Sequence, residues 1–431
     1  MENTNKKNSD STLLKFLLFI LLAATPLNAQ VTQTPASGEK PAFSGQAGVW
    51  VMTLSGLDAL EKNGFAGLED KKVGLITNHT ALDAQGRGIV EAFKLQSKFQ
   101  LKALFSPEHG FTGQVEGGVH IQSSTGTAEL PLYSLYGKNK RPSEEMLRGL
   151  DLLVFDIQDV GARFYTYLTT MGYAMEEASK YGIAFMVLDR PNPVGLETVE
   201  GPVLAPQIDN FTAYFKVPAR HGLTAGEMAL FHKKKLNLNL DLKIIEMENY
   251  SRGMFFDETG QVWINPSPNI RDLKAAVLYS GIGCFEATNV SVGRGTERPF
   301  RWFGAPWMKA EKLVKKLNGA GFKGVRFSYA EKTPDADMYK GELCRGVEIE
   351  ITDKTAVRAM DIFVHSAWWL NKINKKDFVL KKDDIARMTG TYDFYEMIKA
   401  GKKPEEIIKF FDESNAKFKE EVKNSGILLY K

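Results

Sequence analysis

Residues 103–110 read Ala-Leu-Phe-Ser-Pro-Glu-His-Gly, an apolar run that ends in a carboxylate and an imidazole. The same order of residue types recurs. Val73–Ile76 leads into Asn78-His79, Leu152–Phe155 into Asp156-Ile157-Gln158-Asp159, and Ala184–Leu188 into Asp189-Arg190-Pro191-Asn192-Pro193. Strands are expected at Lys72–Thr77, Leu101–Phe105, Leu152–Phe155 and Ile183–Leu188. Helix-like stretches separate them at Gly88–Gln96, Ser143–Leu150 and Leu168–Tyr181. Strands alternating with helices predict an α/β fold on a mostly parallel sheet with right-handed crossovers. Ligands of such sheets bind outside the carboxyl ends of the strands. Four runs delivering Asn, His, Glu, Asp and Arg to one rim predict a polar, acid-rich site.

The last third reads differently. A loop, Gly293-Arg294-Gly295-Thr296-Glu297-Arg298-Pro299-Phe300, precedes an expected helix at Trp307–Leu317. Strands at Val325–Tyr329 and Val347–Thr352 and helices at Thr355–Ile373 and Pro404–Lys423 complete a smaller α+β domain. The expected division is 48–270 for the larger domain and 271–431 for the smaller one. Thr224-Ala225-Gly226-Glu227 is a capping box ahead of Met228, Leu230 and Phe231, which gives Glu227 a structural role.

The chain has 431 residues, 43% of them hydrophobic, enough for a sizeable core. A net charge of +3 with 25% charged residues argues against nucleic acid as a partner. Lys233-Lys234-Lys235 fits the polar face of a helix. Residues 1–29 have the make-up of a secretory signal: Lys6, Lys7 and Lys15 around an apolar run at Phe16–Ala24, then Leu27-Asn28-Ala29 as a cleavage site. The run is shorter than the ~20 residues that span a bilayer, although an uncleaved anchor is the alternative. No cysteine stands near the cleavage site for a lipid anchor. Residues 30–47 read as a linker. The expected location is therefore outside the cytoplasm, periplasmic or secreted, with no stable membrane insertion after cleavage. Cys284 and Cys344 are the only cysteines. Both read as core residues, with a disulfide as the alternative in an exported chain.

Several side chains suit chemistry. Pro107 breaks the strand and Gly110 permits a tight turn, so Glu108 and His109 stand at a strand end. Glu108 there suits a general acid, or else a turn carboxylate bonded to backbone. Asp156 and Asp159 flank Gln158 ahead of Arg163, Tyr165 and Tyr167. They are either a structural Asp–Arg pairing or the paired carboxylates of glycoside hydrolysis, which needs one acid and one nucleophile or base. Two prolines make Asp189-Arg190-Pro191-Asn192-Pro193 rigid. Arg220-His221-Gly222 sits before a helix start that favours anions. Gly293-Arg294-Gly295-Thr296 lacks the lysine and spacing of a P-loop and reads as an anion-binding loop through Arg294. His79, His109, Asp156, Asp159 and His221 lack the spacing of a metal motif, so no metal and no cofactor is expected.

Taken in order, these stretches resemble a bacterial family. They are Gly74-Leu75-Ile76-Thr77-Asn78-His79-Thr80, Ser106-Pro107-Glu108-His109-Gly110-Phe111, and Phe155-Asp156-Ile157-Gln158-Asp159 with Val160-Gly161-Ala162-Arg163-Phe164-Tyr165-Thr166-Tyr167. Leu188–Pro193, Glu200-Gly201-Pro202, Ser267-Pro268-Asn269 and Ser291-Val292-Gly293-Arg294-Gly295-Thr296 follow. The chain from about residue 50 to 431 is similar to the NamZ-type exo-lytic β-N-acetylmuramidases, long labelled a domain of unknown function. Ala225 departs from the larger residue expected there.

The resemblance implies a Rossmann-like larger, catalytic domain, a smaller C-terminal domain that closes a cleft, and release of N-acetylmuramic acid from non-reducing ends of peptidoglycan fragments, muropeptides or disaccharides. It implies Glu108 as the catalytic acid, with His109 beside it. Glu200 is the first choice for the second carboxylate, with Asp156 and Asp159 open. Binding residues are expected at Asn78, His79, Arg163, Tyr165, Asp189, Arg190, Asn192, His221, Asn269, Arg294 and Thr296. Muramic acid carries a lactyl carboxylate, and a planar guanidinium grips such a group bidentately. Arg163, Arg190, Arg294 and Arg298 are candidates, Arg294 first. The rivals are a metal-assisted esterase or amidase using His109 and Asp159, and an envelope protein that binds muramyl ligands without turnover.

Overall fold

The computed structural model describes residues 51–116 and 130–431. The expected signal (1–29) and linker (30–47) lie outside the described residues. Six parallel strands form the main sheet: β1 (Lys72–Thr77), β2 (Gln100–Ser106), β3 (Leu132–Ser134), β4 (Leu152–Asp156), β5 (Ala184–Leu188) and β6 (Leu242–Ile245). Their order is β3-β2-β1-β4-β5-β6. The chain therefore builds outward from β1 to one edge, returns to β4 on the other side of β1, and builds outward again. The reversal between β1 and β4 is the switch point of a doubly wound sheet.

Alternate residues of the central strands feed two cores. Val73, Leu75, Leu152, Val154, Met186 and Leu188 pack on one face with Leu57 and Phe93 of the helices Gly56–Lys62 and Ile89–Lys94. Phe105, Leu153, Phe155, Phe185 and Val187 pack on the other with the helices Thr166–Tyr181 and Ala225–Leu236. Both faces are covered, so the strands read as unbroken apolar runs rather than alternating ones.

The second core runs on into the C-terminal region without a break. There β7 (Trp302–Ala305), β8 (Val325–Lys332) and β9 (Cys344–Ile351) form an antiparallel sheet in the order β7-β9-β8. Helix Ala310–Asn318 packs on it, helix Ala359–Ile373 packs on that helix, and helix Pro404–Ser425 packs in turn on Ala359–Ile373. The fold is α/β with a second, small antiparallel sheet, as the sequence predicts. The helix expected from Thr355 starts at Ala359, because Asp353 caps a single 3-10 turn at Lys354–Ala356 first. Helix Leu273–Ile282 escapes a periodicity reading, since eight of its ten residues are buried and it has no polar stripe. Cys284 and Cys344 are both free and buried, which fits core residues and not the disulfide alternative.

Candidate active site

The strand ends turn as their residue types require. After β1, the Asn78 side-chain oxygen accepts from the Thr80 amide (3.0 Å) and hydroxyl (2.6 Å), an Asx turn. His79 donates from Nε2 to the Asn265 carbonyl at 2.8 Å, and burial pushes its pKa down, leaving a neutral ring. After β2, His109 takes a left-handed backbone (φ 68°) followed by Gly110 (φ 74°). His109 then closes a loop on Val115. Its Nδ1–H donates to the Val115 carbonyl at 2.6 Å, and the Val115 amide donates back to the His109 carbonyl at 3.3 Å. The His79 amide donates to the Phe111 carbonyl at 2.9 Å and its ring covers Gly113, where a Cβ would collide with it.

This loop has an acid at each end, and both face one cavity of about 640 Å³. Glu108 accepts from the Thr166 hydroxyl at 2.6 Å, on the first residue of the helix Thr166–Tyr181. Glu116 accepts from the Asn269 amide at 3.2 Å. Tyr165 stands edge-on to Tyr167 (4.7 Å between ring centroids) and to Tyr279 (5.9 Å), giving the cavity an aromatic wall. Residues after the main sheet complete the lining, among them Arg271, Arg294, Phe300 and Asp335.

Of the residues singled out from sequence, the cavity gathers Glu108, His109, Tyr165, Asn269 and Arg294. Others serve the frame. Asp156 is buried against Arg190 in a two-pronged pair, with Nη2 2.9 Å from Oδ2 and Nε on the other oxygen. Asp189 accepts from Thr224 (2.7 Å), Tyr430 (2.7 Å) and the Gly226 amide (2.8 Å), and burial pushes its carboxyl up to about 6. Asn192 bonds the Leu223 carbonyl and the Val194 amide. Thr296 caps its own turn on the Gly293 carbonyl at 2.7 Å.

Glu200 also belongs to the frame. It is fully buried, paired with Arg220 at 2.9 Å, and accepts from the Met360 amide at 3.0 Å. It does not line the cavity, which removes the geometric basis for choosing it as second carboxylate. Arg163 is no anion site either. It donates to the carbonyls of Pro202, Val217 and Met388, and burial pulls its pKa down to about 10.

Asp159 is the acid with capacity left. Its Oδ2 accepts from the Gly161 amide at 2.7 Å and lies 3.5 Å from His221 Nε2, while buried Oδ1 has no partner among the described residues. His221 Nδ1 accepts from the Leu223 amide, so its proton sits on Nε2, toward Asp159. Neither member of this pair lines the cavity. Glu116 and Arg271 are cavity residues that the sequence reading passed over. The available signals were an acid in the glycine-rich loop after His109 and an arginine closing Ser267-Pro268-Asn269-Ile270-Arg271.

Family models described as exo-β-N-acetylmuramidase NamZ match consecutive parts of the chain. The N-terminal one covers residues 73–274 and the C-terminal one residues 277–430. The peptidoglycan β-N-acetylmuramidase NamZ of Bacillus subtilis (strain 168) is 36% identical over 406 residues, spanning 93% of this chain and 97% of that protein. Two crystal structures of DUF1343 family proteins from Bacteroides fragilis NCTC 9343 share the fold, with TM-scores of 0.82 and 0.71. They are 32% and 30% identical, and each match covers 88% of this chain and 99% of the other.

Proposed function

Because the chain belongs to the exo-β-N-acetylmuramidase NamZ family, we propose that it removes N-acetylmuramic acid from the non-reducing ends of peptidoglycan fragments, with Glu108 as proton donor. It is a glycoside hydrolase of the β-N-acetylmuramidase class. One observation carries the site assignment: Glu108 is held by Thr166 at a helix start, on the wall of the large cavity, beside the tyrosines. A general acid must reach the leaving oxygen from a fixed direction. Thr166 fixes that direction, and Tyr165 and Tyr279 offer ring edges and faces to a sugar.

Glycoside hydrolysis needs a second carboxylate facing the first across the scissile bond. Glu116 fills this role. It shares the cavity with Glu108, and the His109–Val115 closure brings the two ends of their loop together. Glu108 protonates the glycosidic oxygen as the bond to the sugar breaks. Glu116 supports the opposite side of the ring, and water supplies the hydroxyl of the released sugar.

The signal-like residues 1–29 support export to the compartment where cell-wall fragments occur. The test of the reading is hydrolysis of a chromogenic β-N-acetylmuramide beside its N-acetylglucosaminide counterpart. Faster release from the muramide is the expected result. Release from the glucosaminide alone would overturn the substrate assignment.

A further inference from the structure

The cavity holds five carboxylates, Glu108, Glu116, Glu286, Asp335 and Asp337, against three guanidinium groups, Arg271, Arg294 and Arg387. An excess of negative charge repels an anionic sugar unless one cation is left uncommitted. Arg294 is committed. Both its Nε and its Nη2 lie 2.7 Å from Glu286 Oε1, Asp337 is 3.6 Å away, and its guanidinium lies over the Phe300 ring. Arg387 is paired with Asp384 of its own helix at 3.0 Å. Beyond the cavity, Arg298 faces Glu348 at 3.2 Å, and Lys332 is held by Glu297 and Glu348.

Arg271 differs from all of these. Its Nε donates to the Pro268 carbonyl at 2.9 Å and its Nη1 to the Thr296 carbonyl at 3.1 Å. No carboxylate pairs with it among the described residues. The two carbonyls orient the guanidinium plane without neutralising it, and Nη2 is left over. Arg271 also stands where the cavity opens into a second groove of about 490 Å³, shared with Gly295 and Asp335. An oriented, uncompensated guanidinium at the neck of an acidic cavity is suited to one carboxylate.

We propose that Arg271 is the specificity residue that binds the lactyl carboxylate of the muramyl sugar. This rests on the muramidase reading above and replaces Arg294 in that role. The carboxylate completes the charge balance that the fold leaves open. Arg294, with Glu286 and Asp337, serves instead to brace the wall beside Phe300.

The test compares two chromogenic substrates, the β-N-acetylmuramide and its lactyl methyl ester, which keeps the shape and loses the charge. Wild type, Arg271→Gln and Arg271→Lys are assayed at equal ionic strength, with melting temperatures recorded. Arg271→Gln is expected to lower kcat/KM on the acid by roughly 10- to 100-fold more than on the ester, as loss of one charge-assisted contact predicts. The loss should fall mainly in KM. Arg271→Lys should recover part of it, since charge returns without the planar fork. Equal losses on acid and ester would overturn the proposal while leaving the muramidase reading intact. A wild-type chain that hydrolyses neither substrate would overturn the reading itself, and this proposal with it.

Discussion

At the residue scale, the acids of this chain divide by what they touch. Glu108→Gln keeps the shape and the Thr166 contact but removes the transferable proton, so turnover should fall roughly 10²–10⁴-fold with the melting temperature unchanged. Glu116→Gln should behave alike. Near-wild-type turnover in either folded variant removes that residue from the mechanism. Glu200→Gln should fail differently. It strands the buried Arg220 guanidinium, which also bonds the Val194 carbonyl, at a cost of about 3–5 kcal/mol. Urea denaturation would show this as a lower midpoint. A Glu200→Gln enzyme of normal stability and no activity would restore Glu200 as the second carboxylate. The site of Glu108 was legible because Pro107 and Gly110 act within four residues. The fate of Glu200 was not legible, since it is decided by Arg220, twenty residues on, and by the Met360 amide, 160 residues on.

At the scale of elements, the central strands announced themselves as apolar runs because helices cover both faces of their sheet. The short edge strands did not. β3 has three residues and β6 four, and neither is buried throughout. The loop from Glu108 to Glu116 was also hidden, because a left-handed histidine is a rare choice that no pattern flags. Its geometry can be probed at Gly113 (φ 69°), which lies under the His79 ring. Gly113→Ala introduces both a strained backbone and a collision. It should displace the loop and cut kcat at least tenfold, while the melting temperature moves by only a few degrees because Phe111 alone of the loop's residues packs against a core. Full activity in this variant would show that the spacing of the two acids does not depend on the closure.

At the scale of the whole molecule, distant parts of the chain meet at Asp189. This strand-end acid receives the Thr224 hydroxyl at the start of one helix and the Tyr430 hydroxyl from the last residues of the chain. Its carboxyl stands at about 6 in the fold against an unfolded value near 3.8. The folded pKa is the higher one, so Asp189 weighs against the fold above pH 6, and that penalty is relieved as pH falls from 6 toward 4. Tyr430→Phe removes a donor to the ionised form and raises the folded pKa further. The variant should lose about 1 kcal/mol at pH 7.5 and less at pH 5. Equal losses at the two pH values, measured by urea unfolding, would mean that Asp189 does not titrate in this range.

Arg163 unites three other stretches through the carbonyls of Pro202, Val217 and Met388. Every amino acid offers the same carbonyl, so positions 202, 217 and 388 can change identity without altering this joint. The seam is written in main chain and leaves no mark on the alphabet of the residues it joins. Its price falls on one neighbour instead: at Gly390 (φ 98°) a Cβ would press on the Arg163 guanidinium. Drift along this seam is therefore free on three sides and closed at two positions, the arginine and the glycine that makes room for it.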